Sequence, residues 1–235
     1  MKIQSNFSVL LFKLLFILLP IILGFTAATK CDAQSIAGKL NDTTFSMNEK
    51  GRALKKFYLD LRVEELWISC HYINWETGEP DSSSLDQNIH THCSAFVAAA
   101  CKRLNIYLLR PPDHKMQLLA NNAQYDWLSS PDAGKKGWKA IAAGNNYEEA
   151  QQYANNGYVV IAVIKNKDLR LPGHIALVRP AEISKEKLAE SGPMLIMAGT
   201  HNFNYISLKS GFKSHISEWP SQEVLFYFNS LIQLT

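Results

Sequence analysis

Two regimes of hydrophobic spacing divide the chain. Between Asn48 and about Ile73, the apolar residues Leu54, Phe57, Tyr58, Leu61 and Leu66 alternate with lysines, arginines and glutamates. That spacing predicts an amphipathic helix. Ser94 to Leu104 is apolar almost all round, the pattern of a helix buried on every side. Lys115 to Trp127 is again amphipathic. Tyr147 to Asn155 predicts a further helix, closed by Asn156-Gly157 with glycine in the usual C-terminal cap position. After Gly157 the period changes. Tyr158 to Ile164 is a continuous apolar, β-branched run, which predicts a buried strand. His174 to Val178, Pro193 to Ala198, Asn204 to Leu208 and Glu223 to Phe228 follow as further strands. Helices that come first and strands that cluster afterwards predict an α+β fold, with N-terminal helices packed on a mainly antiparallel sheet.

Turn-forming residues separate these elements. Asn74 to Ser84 reads as a loop, and Arg110-Pro-Pro112 breaks the chain. Ser129 to Gly134 is turn-rich, and Arg170-Leu-Pro-Gly173 leads into the strand that His174 opens. Upstream of all this, Lys2 precedes an apolar run from Val9 to Phe25, followed by Thr26-Ala27-Ala28. Charge, apolar core and small residues in that order are the signature of a secretory signal. The run barely reaches the roughly 20 apolar residues of a bilayer span. The flanks favour cleavage after Ala28, or as late as Ala33, over an uncleaved membrane anchor. The expected organisation is a signal over 1–28, a flexible leader over 29–47 and one domain over 48–235, in an exported protein that is periplasmic or secreted.

Composition narrows the function classes. The 235 residues are 47% hydrophobic and 19% charged, with a net charge of +3. Such a chain affords one sizeable core. Its dispersed lysine pairs, Lys55-Lys56 and Lys135-Lys136, lack the concentrated basic stripe of a nucleic-acid binder. The four cysteines are Cys31, Cys70, Cys93 and Cys101. In an oxidising compartment Cys70 and Cys101 could pair if their Cα atoms lie within about 7 Å. No spacing matches a structural zinc pattern, so no metal is expected.

The chemistry concentrates at His90-Thr-His-Cys-Ser94 and Pro172-Gly-His-Ile-Ala-Leu-Val178. Cys93 stands where a polar loop turns into an alanine-rich helix. The positive end of a helix dipole favours thiolate over thiol, so a value below the free cysteine's is expected for Cys93. His174, at the mouth of a strand, is the expected base, as covalent cysteine catalysis requires. The backbone N–H of Cys93 is a candidate oxyanion donor, and Gln87 a further one. A third group orients the imidazole in such sites. Asn202 and His201, after the next strand, are the candidates. His92, Trp75, Trp127 and Trp138 are candidate cleft residues. His114 and His215 have no supporting context.

This order resembles the papain-like NlpC/P60 and CHAP superfamily of bacterial cell-wall amidases and endopeptidases. The resemblance covers Cys93 to Asn202. It implies a papain-like fold with Cys93 as nucleophile, His174 as base and the polar third position on His201 or Asn202, without a cofactor. It also implies a peptidoglycan stem peptide or cross-link as substrate. A proteinaceous inhibitor is a partner such an enzyme could have; membrane contact is expected only through an uncleaved leader. The chain departs from the CHAP pattern at Gly199-Thr200, where an acidic residue often precedes the asparagine. An acyltransferase or deamidase of the same fold, or a catalytically silent wall-binding module, are the alternatives.

Overall fold

The computed structural model describes residues 44–85, 91–115, 120–142 and 146–230. Their elements run β1 (Thr44–Phe45), α1 (Glu49–Asp60), β2 (His71–Ile73), β3 (Pro80–Leu85), α2 (Cys93–Arg103), α3 (Ala120–Leu128), α4 (Pro131–Lys135), β4 (Trp138–Ala140) and α5 (Asn146–Asn155). Then come β5 (Val159–Ile164), β6 (His174–Val178), β7 (Ile183–Ser184), α6 (Lys185–Ser191), β8 (Met194–Met197), β9 (Phe203–Ser207), α7 (Leu208–Gly211) and β10 (Leu225–Asn229). Six strands form one sheet in the order β4-β10-β5-β6-β8-β9, antiparallel throughout. The fold is therefore mixed α and β, with helices before most of the strands.

The sheet is buried on both faces. Val159, Ile161 and Val163 of β5 join Ile175 and Leu177 of β6 in one core, with Leu54 and Tyr58 of α1 and the whole apolar length of α2. Val160, Ala162 and Ile164 join Ala176 and Val178 in the other, with Ala150 and Ala154 of α5, Leu208 of α7 and Phe212 beyond it. Side chains alternate along a strand, so a strand buried on both faces must be apolar at every position. That is why β5 reads as an unbroken hydrophobic run.

The long helix expected from Asn48 ends much earlier. It starts where expected, since the Asn48 side chain accepts from the Gly51 N–H at 2.8 Å. It stops at Asp60, and Arg62 takes a left-handed φ of 55°. Trp67 is fully buried and meets Phe96 of α2 edge-on, with centroids 5.2 Å apart. Delivering that indole to the core takes the chain out of the helix. The segment expected as a loop after Asn74 contains β3, which pairs with β2 as a hairpin. The turn-rich stretch after Ser129 contains α4, started by Pro131 at a position where a missing N–H costs nothing. The spacer after Arg179 holds β7 and α6.

Two boundaries are corrected. Thr44–Phe45 pairs with β7, and Met47 is buried, so the end of the expected leader belongs to the fold. Buried Asn155 fixes it there by donating to the carbonyls of Phe45 and Ser46 at 3.0 and 3.3 Å, and to Ala181 at 2.8 Å. The expected helix from Lys115 is seen over Ala120–Leu128, residues 116–119 lying outside the described ones. Gly157 closes α5 with a φ of 87°. The expected signal segment also lies outside the described residues. Among the described residues no helix is long and apolar enough to cross a membrane.

Phe96 lies wholly inside the first core. Phe96→Ala is expected to cost about 3–5 kcal/mol, read as a lower urea midpoint with an unchanged slope.

Candidate functional site

A cleft of about 1010 Å³ opens at the end of the sheet where β6 begins. Its walls include Trp75, Cys93, Asn121, His174, Lys213 and His215. A smaller hollow of about 450 Å³ near α6 and α7 holds neither cysteine nor histidine. The larger cleft is thus where the chemistry expected from the sequence gathers. Among the described residues its lining contains no aspartate or glutamate.

Cys93 opens α2 and is buried. No side chain caps that helix, and its first turn holds no acidic residue. The first backbone N–H groups of a helix have no intrahelical acceptor. Two of them, from Cys93 and Ser94, face the thiol, together with the N–H of Ile175 on β6. These donors favour thiolate, but burial outweighs them and pushes the Cys93 thiol up to about 11. The sequence expectation of a lowered value is therefore reversed. The dipole and donors act as expected; the missing quantity was the desolvation of a sulfur packed between α2 and β6.

His174 is also buried, and its environment pushes the imidazole down to about 3, through burial first and His215 second. No hydrogen bond joins it to Cys93, and Nε2 has no partner. Alternation along β6 explains this. His174 shares the side of Ala176 and Val178, whereas Cys93 tops the helix on the other face. The ring meets Phe212 edge-on at 4.7 Å and stacks on His215 at 5.1 Å, 8° from parallel. The two groups thus share the cleft without a hydrogen bond between them. His215, for which sequence context offered no role, stacks on the imidazole. The signal that could have found it is its place three residues after Phe212, an apolar residue of the adjoining segment.

The remaining candidates separate. Asn202 does not orient His174. Its Oδ1 accepts from Gly199 N–H at 3.0 Å, and its Nδ2 donates to the carbonyls of Val63, Leu66 and Trp67. It clamps the turn after α1 to the end of β8, so its amide is already satisfied. His201 lies exposed on the cleft wall, without a bond to His174. His92 lines the cleft, its Nε2 sharing a hydrogen bond at 2.9 Å with the carbonyl of His71. Trp75 is on the wall. Trp138 is core: it is 3% exposed and donates from Nε1 to the Tyr107 carbonyl at 2.7 Å. Trp127 is outside the cleft and meets Tyr107 edge-on. Gln87 lies outside the described residues. Cys70 and Cys101, whose pairing the sequence left open, are both free. Cys101 is buried in the core, while Cys70 sits half-exposed in a turn. No group of metal-ligating side chains occurs among the described residues.

Two amides of α3, unnoticed in the sequence, hold both arms of the site. Asn122 Oδ1 accepts from Gly173 N–H at 3.0 Å, and its Nδ2 donates to the Leu171 carbonyl at 3.0 Å. Gln124 Nε2 donates to the carbonyls of Ser94 and Leu109 at 3.2 and 3.1 Å. Gly173 admits no side chain, since a Cβ there would lie 2.1 Å from the Ile164 carbonyl oxygen and 2.8 Å from Asn122 Oδ1. No protein-family model, curated protein or solved structure matches the chain.

Two measurements check this electrostatic description. Alkylation of Cys93 by iodoacetamide is expected to keep accelerating above the free thiol's value of about 8.5, toward the elevated Cys93 value; a plateau below pH 8 overturns it. Second, His174 titrates lower when folded than its ordinary 6.5. The unfolded chain therefore binds more protons as pH falls below 6.5, and stability is lost from there down to about 3. His174→Asn is expected to flatten that acid limb by up to about 1.4 kcal/mol per pH unit, measured by urea unfolding from pH 7 to 4. A residual slope from His215, shifted the same way, remains.

Proposed function

We propose that the protein is an exported cysteine hydrolase that cleaves amide bonds in the peptide part of peptidoglycan. The observation that carries this reading is the thiol of Cys93 at an uncapped helix start, sharing one cleft with the imidazole of His174. The resemblance to NlpC/P60 and CHAP enzymes, on the order Cys93, Gly173-His174-Ile-Ala-Leu-Val178 and Asn202, supplies the substrate. So does the cleft's character. Lys213 lines it without an opposing carboxylate among the described residues, which suits a stem peptide bearing free carboxylates.

Burial keeps both reacting groups uncharged near neutrality: the thiol is protonated and the imidazole is not. His174 thus works as a general base and not as the partner of a preformed thiolate. In the reaction the imidazole leaves its stack on His215 and turns toward Cys93. It takes the thiol proton while Sγ bonds the scissile carbonyl carbon and the carbonyl π pair moves to oxygen. Collapse of that adduct breaks the C–N bond, and His174 returns the proton to the departing amine. Water, deprotonated by His174, then adds to the thioester carbonyl; the C–S bond breaks, the acid product leaves and His174 returns the proton to Sγ. Leaving the buried stack on His215 removes the causes that depress His174, so the base gains strength as it turns toward Cys93.

A catalytically silent wall-binding module is the second reading, favoured by the absence of a Cys93–His174 hydrogen bond. Digestion of purified sacculi separates the two. Wild type is expected to release soluble muropeptides, and Cys93→Ala and His174→Ala to lose at least about 1000-fold in rate. Sacculus binding without release by wild type favours the silent module; release by Cys93→Ala removes the thiol from the mechanism.

A further inference from the structure

The first turn of α3 carries a group that neither the fold nor the proposed acid–base chemistry uses. Asn121 is 2% exposed, lines the cleft that holds Cys93, and its Nδ2 has no hydrogen-bond partner. Leaving a buried amide donor unpaired is destabilising. The amide donors of its neighbours are paired, although Gln124 Oε1 is, like Asn121 Nδ2, buried without a partner. Asn122 is bonded to Gly173 and Leu171, and Gln124 to Ser94 and Leu109. The same two residues fix α3 to the residue before His174 and to the residue after Cys93. Asn121, directly before these two residues, is therefore carried on a helix bonded to both arms of the site. The uncapped start of α2, which lines the same cleft, presents backbone N–H groups around the sulfur.

We infer that Asn121 is a catalytic residue: its Nδ2 donates to the oxyanion formed when Cys93 attacks an acyl carbon, alongside the backbone N–H of Cys93. This inference rests on the proposed cysteine chemistry and adds to it the group that stabilises its charged intermediate. As Sγ bonds the carbonyl carbon, the π pair localises on oxygen, which becomes a stronger acceptor than the ground-state carbonyl. A donor that is unpaired beforehand and paired in that adduct lowers the barrier and not merely the binding energy. One side-chain amide and one backbone N–H are also a donor pair with different geometry, which suits a tetrahedral oxygen reached from two elements. Gln87 was the side-chain candidate from sequence; Asn121 fills that role from downstream of the nucleophile.

The test compares two reactions at one sulfur. Acylation by p-nitrophenyl acetate passes through an oxyanion, whereas alkylation by iodoacetamide does not. Both are followed by mass spectrometry at Cys93, at about pH 9, just above the free thiol's value of about 8.5. Asn121→Ala is expected to slow acylation about 100-fold and to leave alkylation within about twofold. Asn121→Asp keeps the shape but replaces the donor by an acceptor, and is expected to be at least as slow in acylation. It decides the matter should the alanine variant fail to fold. Equal losses in both reactions assign Asn121 to structure, and unchanged acylation removes it from the oxyanion site; either result overturns the inference while leaving Cys93 as nucleophile. Wild-type Cys93 that is alkylated but never acylated overturns the hydrolase reading itself, and with it the role of Asn121.

Discussion

The two-residue alternation of β6 governs the rest of the molecule. Ile175 and Leu177 must enter the core beneath α2, and Ala176 and Val178 the core beneath α5 and α7. A one-residue slip would exchange every contact on both faces at once. The register that satisfies two cores also decides where the first residue of the strand goes. His174 is sent toward Phe212 and His215, and Cys93 stands over the other face. The separation of sulfur and imidazole is thus a consequence of packing. Both nevertheless line one cleft at the end of the sheet where β6 begins.

Burial makes that separation chemically coherent. A thiolate and an imidazolium held apart in low dielectric would each lack a partner, at a cost of several kcal/mol. The uncharged forms carry no such penalty, and the shifts of Cys93 and His174 both run toward them. The site therefore rests as a neutral pair, and in the proposed reaction it generates charge only when substrate brings an electrophilic carbon to the sulfur. Helix-start geometry alone argues for a thiolate, and it is outweighed here because the same alanine-rich helix that supplies the donors also buries the sulfur.

What could be read in the sequence follows from the range of the interactions. The strands β5, β6 and β8 were legible because each is an apolar run, a local signal; β9, Phe-Asn-Tyr-Ile-Ser, was legible from its β-formers Tyr205 and Ile206, and β10 from Leu225 to Phe228. So were the start of α1 at Asn48, whose side chain caps its own helix, and the glycine that ends α5. Features set by distant partners were not legible. The indole of Trp67 ends α1 by packing on Phe96, and the hairpin β2–β3 exists only through its own pairing. Trp138 looked like a cleft residue until β4 carried it into the core. Asn202 has the residue type of an orienting group, but its amide is engaged by three carbonyls from the turn after α1. The right side chain at the right place in sequence was taken by another task.

Helix α3 shows how the chain compensates for a site assembled from separate elements. Cys93 and His174 come from a helix and a strand with no direct bond between them, so thermal motion of either would change the attack geometry. A third element bonded to both removes most of that freedom. Asn122 does this for β6 through the Gly173 N–H, and Gln124 for α2 through the Ser94 carbonyl. Gly173 is required for the first bond, because a side chain there would occupy the space of Asn122 Oδ1. The amide of Asn121, immediately before these two tethers on the same helix, shares their rigidity. A donor aimed at a transient charge must be fixed before the charge appears, and Asn121, 2% exposed and next to a tethered residue, meets that condition for the oxyanion role proposed above.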